Sequence, residues 1–223
     1  MSQRVDKDST VGKVGAARAP AERGAGRRPM AIALGELGAL DRAVFQAVAQ
    51  TPTPHLDDAF RRLSLVANRS RLWLGTAAAI AVLGGRRGRL AAVEGVLSIA
   101  ATSAAVNMGI KPLVRRRRPQ RVRSAWQWAR SVPTPGSTSF PSGHSASAFA
   151  FAYAVGRQYP VLAVPIGLVA TAVAYSRVHT GVHYPSDVIL GSIVGAGTAA
   201  VVTSAYERTI GASARQPVHG RPS

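Results

Sequence analysis

Five apolar stretches, residues 72–85, 90–110, 143–156, 161–176 and 188–206, limit what this chain can fold into. A helix needs about 20 residues to cross a hydrocarbon core of about 30 Å. Stretches 90–110 and 188–206 reach that length unaided. The other three need their polar flanks, helped in the first case by Arg69 and Arg71, whose long stems can carry their charge back to the interface. Buried helices of a soluble all-α protein are the competing reading. Five such stretches with short basic or Pro-Gly connections favour an all-α, polytopic membrane bundle of about five transmembrane helices. Small residues such as Gly191, Gly195 and Gly197 would let its helices approach closely.

The first part of the chain has a different character. Residues 1–29 are rich in Arg, Ala, Gly, Ser and Pro with no apolar period, so they predict a disordered basic tail. No apolar core follows the first charges, which argues against a secretory signal peptide. Over residues 30–50, Ile32, Leu34, Leu37, Leu40, Val44, Phe45 and Val48 recur at helical spacing, interrupted by Glu36, Asp41 and Arg42. This predicts an amphipathic helix that lies on a membrane surface or packs on the bundle. Residues 51–54 break it, and 56–68 predict a short second helix. The expected organisation is a tail over 1–29, an amphipathic segment over 30–68, a membrane domain over 69–207 and a disordered tail over 208–223.

Charge sharpens the reading. With 28 Lys+Arg against 10 Asp+Glu the formal net charge is +18, and only three of the cations are Lys. Arginine forks suit phosphate, so anion handling is the theme. There is no cysteine, which excludes a disulfide scaffold, a Cys-ligated zinc site and thiol catalysis. Between Gly95 and Ala205 stand ten cations and a single acid, Asp187. A lone carboxylate there is either a helix-start residue or a functional one.

Three segments carry candidate chemistry. The connection 111–141 opens with Lys111-Pro-Leu-Val-Arg-Arg-Arg-Arg118-Pro119, which alone reads equally as a nucleic-acid patch, an anionic-lipid anchor or a topogenic cluster. It closes with Ser139-Phe-Pro-Ser142-Gly143-His144 at the start of a helical pattern. Ser142 is a good N-cap, Gly143 allows close backbone approach, and the free N–H groups of the first turn attract an anion. His144 would project beside that anion. The third segment is Ser176-Arg177-Val-His179-Thr-Gly-Val-His183-Tyr-Pro-Ser-Asp187. Pro185 suits a first helical position, so Asp187 falls in the first turn, within reach of His183. His179 is a rival nucleophile, expected on the loop with no carboxylate four residues on.

Taken in order, these blocks resemble the type 2 phosphatidic acid phosphatase family, whose wider superfamily includes soluble acid phosphatases and vanadium haloperoxidases. Six residues separate Lys111 from Arg118-Pro119, five separate Arg177 from His183, and three separate His183 from Asp187. The resemblance covers about residues 72–206. It implies that His183 attacks phosphorus, that Asp187 holds its other ring nitrogen, and that His144 handles the proton of the leaving oxygen. Lys111, Arg118, Ser142, Gly143 and Arg177 would cradle the phosphate, with no metal and no cofactor. The implied substrate is a phospholipid or polyprenyl phosphate: phosphatidic acid, a polyprenyl diphosphate or a polyprenyl-phosphosugar phosphate. Membrane stretches argue against a vanadate-dependent peroxidase.

Arg115, Arg116 and Arg117, between the motif positions, read as a headgroup or membrane-surface patch. Trp126 and Trp128 read as interfacial. A non-enzymatic basic membrane protein that binds anionic lipid or nucleic acid would explain the charge but not the spacing of His144, His183 and Asp187, so no nucleic-acid partner is expected. The expected location is the plasma membrane of a bacterium. With five spans, 21 of the 28 cations share the face of the motif loops, which favours a cytoplasmic site. If residues 30–50 cross, the site faces out; the sequence leaves both orientations open.

Overall fold

The computed structural model of the chain describes residues 27–120 and 125–213. The expected tails therefore lie mostly outside the described residues. The helical elements in order are α1 (Arg27–Gln50), α2 (Pro54–Val66), a 3₁₀ turn (Asn68–Ser70), α3 (Arg71–Leu83), α4 (Gly85–Ala104), a π-helical turn (Ala105–Ile110) and α5 (Lys111–Leu113). There follow α6 (Ala125–Arg130), α7 (Gly143–Gln158), a 3₁₀ turn (Pro160–Leu162), α8 (Ala163–His179) and α9 (Pro185–Ser213). No strand occurs among the described residues. The chain divides into two compact units. The first is Met1–Gly38, described only over the start of α1, and the second is Ala39–Ser223, which contains all three motif blocks.

Among the described residues three helical runs are long and apolar enough to cross a membrane: Gly85–Leu113, Pro160–His179 and Pro185–Thr209. Their large apolar side chains stay exposed, among them Val164 and Leu168 on α8 and Ile189, Ile193 and Val201 on α9. Such faces need lipid or a partner to cover them. The other two expected spans are shorter than the length criterion, α3 having 13 residues and α7 having 16. Segment 86–89, expected to be a loop, is instead the first turn of α4. Gly84 and Gly85 allow this, since Gly85 turns the chain at φ +59° and a Cβ on Gly84 would strike the Ile80 carbonyl. α1 begins earlier and α9 runs further than expected, because after Pro185 no proline occurs before Pro217 to stop the helix.

α7 is the hub, packed against α4, α8 and α9. Its run Gly-His-Ser-Ala-Ser-Ala-Phe-Ala-Phe offers little side-chain bulk, and Ala146, Ala148, Ala150, Phe151 and Ala154 are wholly buried. Small residues on the partner helices complete the close approach. A Cβ on Gly191 would lie 2.6 Å from the Ser142 carbonyl oxygen, and one on Gly195 would lie 2.0 Å from that of Ala146. Gly95 of α4 receives the Phe151 ring in the same way. Trp73, Ala77, Ile99, Phe151, Val155, Ile166 and Val173 form the main core.

The second half of α1 packs on the bundle: Phe45 and Ala49 meet Ala174, Val178 and Val188. α6 locks the turn between α1 and α2. Arg130, fully buried, donates to Asp57 at 2.8 Å and to the carbonyls of Val48 and Thr51. One local conformation is costly. Arg69 and Ser70, between α2 and α3, both sit in the left-handed region, at φ 53° and 57°. Each such non-glycine residue costs on the order of 1–3 kcal/mol.

The glycine contacts give a test. Gly195→Ala forces α9 away from α7 and should cost about 3 kcal/mol. Gly197→Ala, with nothing within 4 Å of its Cβ, should be neutral or slightly stabilising. Thermal unfolding in detergent compares them, and equal effects would contradict the close packing.

Candidate active site

The candidate side chains gather where α5, α7 and α9 begin or end on one side of the bundle. Ser142 caps α7, its Oγ accepting from the Ser145 N–H at 3.4 Å and from the Ser145 hydroxyl at 2.9 Å. The Ser142 N–H donates to the Asp187 carbonyl at 2.9 Å, which ties the start of α7 to the first turn of α9. Loop 180–184 is fastened to the end of α8, because the N–H groups of Val182 and His183 both donate to the Arg177 carbonyl.

Asp187 is wholly buried and fully engaged. Its Oδ2 accepts from the Ser139 hydroxyl and from the Tyr184 N–H at 2.9 Å, and its Oδ1 accepts from Arg116 at 2.8 Å. His183 Nδ1 lies 3.6 Å from Asp187 Oδ2 and 3.5 Å from Ser139 Oγ. That side of the ring therefore faces acceptors and takes the N–H. The other nitrogen, Nε2, lies 3.2 Å from an Arg118 Nη, a pure donor. This pair of neighbours selects the neutral tautomer with its lone pair on Nε2. Burial pushes the His183 pKa down to about 4, with Arg118 and Arg177 adding to the effect and Asp187 opposing it.

A cavity of about 230 Å³ opens in front of Nε2. Of the eight residues expected from the sequence, Lys111, Arg118, Gly143, His144 and His183 line it. The Nε2 of His144 is buried with no hydrogen-bond partner among the described residues. Lys111 is aimed by Asn107 at 3.0 Å and Ser137 at 3.2 Å. Asn107, itself a lining residue, is presented by the π-helical turn, a distortion often found at functional sites. Arg118 is held by the carbonyls of Ser137 and Val182. Asp187, Ser142 and Arg177 stand behind this lining. Arg177 is buried and donates to the Ser64 hydroxyl of α2.

A family model of the PAP2 superfamily matches residues 92–210, more than half of the chain. The chain belongs to the PAP2 superfamily. Over 132 residues it is 42% identical to the decaprenylphosphoryl-5-phosphoribose phosphatase of Mycobacterium tuberculosis (strain CDC 1551 / Oshkosh), a match covering 59% of this chain and 70% of that one. It is 39% identical over 70 residues to the lipid A 1-phosphatase of Rhizobium etli, covering 31% of this chain and 30% of that one. The fold resembles Aquifex aeolicus LpxE, with a TM-score of 0.62 at 22% identity over 74% of this chain and 95% of that one. It also resembles a transmembrane PAP2-type phosphatidylglycerolphosphate phosphatase from Bacillus subtilis, with a TM-score of 0.59 at 23% identity, covering 78% and 87%. The chain is thus a membrane-embedded phosphatase of the PAP2 superfamily.

Two sequence expectations change. Arg116, grouped with Arg115 and Arg117 as a surface patch, is part of the site's frame. It bonds Asp187, Ser186 at 2.6 Å and Asp41 of α1, and its guanidinium stacks 4.3 Å from the centre of the Tyr184 ring. Burial alone would lower its pKa, but Asp41 and Asp187 outweigh that and hold it above the ordinary arginine value. Arg115 and Arg117 are exposed. His179 is not on the loop. It is the buried last residue of α8, with its Nε2 3.0 Å from Asp57 of α2, so it belongs to the α2–α6–α8 lock and not to the cavity. Trp128 is exposed, while the Trp126 side chain lies outside the described residues.

The PAP2 motif blocks contain neither Asp41 nor Ser186's role. Asp41 also accepts from the Ser186 N–H at 2.8 Å and the Ser186 hydroxyl at 2.6 Å. Its one sequence signal was a charge interrupting an apolar face. Ser139 could have been suspected from its place in the second block. Removing the guanidinium of Arg116 strands two carboxylates. Arg116→Met should therefore cost about 2 kcal/mol of stability, less than a wholly buried pair because the side chain is 27% exposed. Arg115→Met should stay within about 0.5 kcal/mol. Denaturation in detergent reads both, and equal losses would contradict the distinction.

Proposed function

We propose that this chain is an integral-membrane, metal-independent lipid phosphatase that acts through a phosphohistidine on His183, in the plasma membrane of a bacterium. The observation that carries the reading is the opposed pair of imidazoles. His183 turns an uncharged Nε2 into the cavity, and His144 presents an unpartnered Nε2 to the same space.

Phosphoryl transfer asks for an in-line nucleophile, positive charge on the equatorial oxygens and a proton for the leaving oxygen. The His183 Nε2 lone pair forms the N–P bond as the P–O bond to the leaving group breaks. Lys111, Arg118 and the N–H groups at Gly143 hold the phosphoryl oxygens, and the phosphate takes over the Arg118 contact now made to His183. Arg177 adds its charge from behind, and Ser142 fixes the helix start. His144, surrounded by cations, takes up a proton as the negatively charged phosphate enters beside it and gives that proton to the departing oxygen. It then takes one from the water that attacks phosphorus, which breaks the N–P bond and returns His183. Asp187 stabilises the charge that develops on the His183 ring. A phospholipid or polyprenyl phosphate reaches the cavity from the bilayer. Relatives named for a decaprenyl-linked phosphosugar, for lipid A and, in Sulfolobus acidocaldarius, for undecaprenyl diphosphate support the lipid class.

Detergent-purified protein should release phosphate from a panel of lipid phosphates in EDTA, and vanadate should inhibit it. His183→Ala should lower kcat/KM by on the order of 10⁴-fold or more. Full activity in that variant refutes the nucleophile, and strict metal dependence refutes the mechanism.

The low pKa of His183 predicts an acid limb. The ring is neutral and nucleophilic well below the ordinary histidine range, so kcat/KM should begin to fall only as pH approaches about 4. Linkage has the same sign. Because the folded pKa is depressed, this histidine's contribution to stability is complete above the unfolded value near 6.5 and is lost as pH falls towards 4. An acid limb at 6.5, unchanged in His144→Ala, would contradict the assignment.

A further inference from the structure

The cavity is lined by more than the motif residues. Besides Lys111, Arg118, His144 and His183, its wall includes Asn68, Arg69 and Ser70, the turn between α2 and α3. A volume of about 230 Å³ is more than ten times what one water needs, so the scissile phosphate leaves room for a further group.

Arg69 is unlike the other cations of the site. Lys111 and Arg118 are fixed by side-chain and carbonyl partners, Arg116 is tied to Asp41 and Asp187, and Arg177 is buried against Ser64. Arg69 is exposed into the cavity and has no partner among the described residues. Its backbone is also strained, at φ 53°, and so is that of Ser70, at φ 57°. Glycine would relieve either position. The chain instead spends the strained positions on an arginine and a serine that both face the cavity, next to Asn68, a third hydrogen-bonding side chain. Left-handed strain kept beside a cavity is a mark of a site in which side chain matters more than stability.

We infer that Asn68, Arg69 and Ser70 form a second anion subsite, so that the preferred substrate is a lipid carrying a second phosphate beyond the one that is cleaved. This rests on the lipid phosphatase reading. Two chemical sources offer that second phosphate: the inner phosphate of a polyprenyl diphosphate, and the phosphodiester of a polyprenylphosphoryl phosphosugar. In either, the guanidinium fork would take two oxygens of the second phosphate while Lys111 and Arg118 hold the first.

The test compares kcat/KM for three lipids with one polyprenyl tail: the diphosphate, the phosphoryl phosphosugar and the monophosphate. The tail and detergent are held constant. Wild-type protein should favour at least one two-phosphate lipid over the monophosphate. Arg69→Gln should cut kcat/KM for that lipid by about tenfold or more and leave the monophosphate within about threefold, and the lipid that suffers identifies the source. Arg71→Gln, which removes the exposed neighbouring cation, should leave the preference unchanged. Arg69→Gly separates strain from recognition, because it should lose the preference while unfolding at the same or a higher temperature.

A loss shared equally by all three lipids, an equal loss in Arg71→Gln, or a wild-type preference for the monophosphate would each overturn the subsite. Failure of wild-type protein to release phosphate from any of the three would instead contradict the lipid phosphatase reading.

Discussion

The site depends on one buried carboxylate. Asp187 sits in the first turn of α9, where the helix start favours negative charge, yet most of its stabilisation comes from outside its own helix. The Ser139 hydroxyl reaches it from the long basic loop, the Tyr184 N–H from loop 180–184, and the Arg116 guanidinium from the segment after α5. Its backbone carbonyl receives the Ser142 N–H at the start of α7. A single residue thus sets the register of four segments around the His183 ring. An unpaired charge so buried would be costly, so the frame holds together or fails as a unit.

That frame explains how α1 takes part in a site that it does not line. Asp41 shares Arg116 with Asp187 and also binds both the N–H and the hydroxyl of Ser186. With Phe45 and Ala49 packed on α8 and α9, the second half of α1 braces loop 180–184 from behind. Arg130, Asp57 and His179 do the same for α2, which in turn supplies Ser64 to Arg177. The strongly basic chain is steadied at the few points where an acid is available.

Much of this was legible in the sequence, for identifiable reasons. Short-range spacing is faithful to geometry. Three residues between His183 and Asp187 place both at one helix start, and a serine–glycine pair before His144 gives a capped helix with exposed N–H groups. The apolar stretches gave the helices, although α4 absorbed what read as a basic loop because glycine tolerates the tight turn before it. Long-range pairing was illegible. Nothing local to Arg116 separates it from Arg115 and Arg117; its partner Asp41 lies 75 positions away. His179 looked like a second nucleophile for the same reason, since its carboxylate comes from α2 and not from the next helical turn. The cavity role of Arg69 was hidden too, because a cation before an apolar stretch reads first as an interfacial anchor.

The central claim is that the Nε2 of His183 becomes covalently bonded to phosphorus. The direct measurement is a rapid alkaline quench of enzyme turning over a lipid labelled in its terminal phosphate, followed by peptide mapping. The account predicts acid-labile, alkali-stable label on the peptide bearing His183, attached through Nε2, and transient accumulation of it. Label on a serine or on His144, or phosphate release with no protein-bound label at any time of quench, would contradict it.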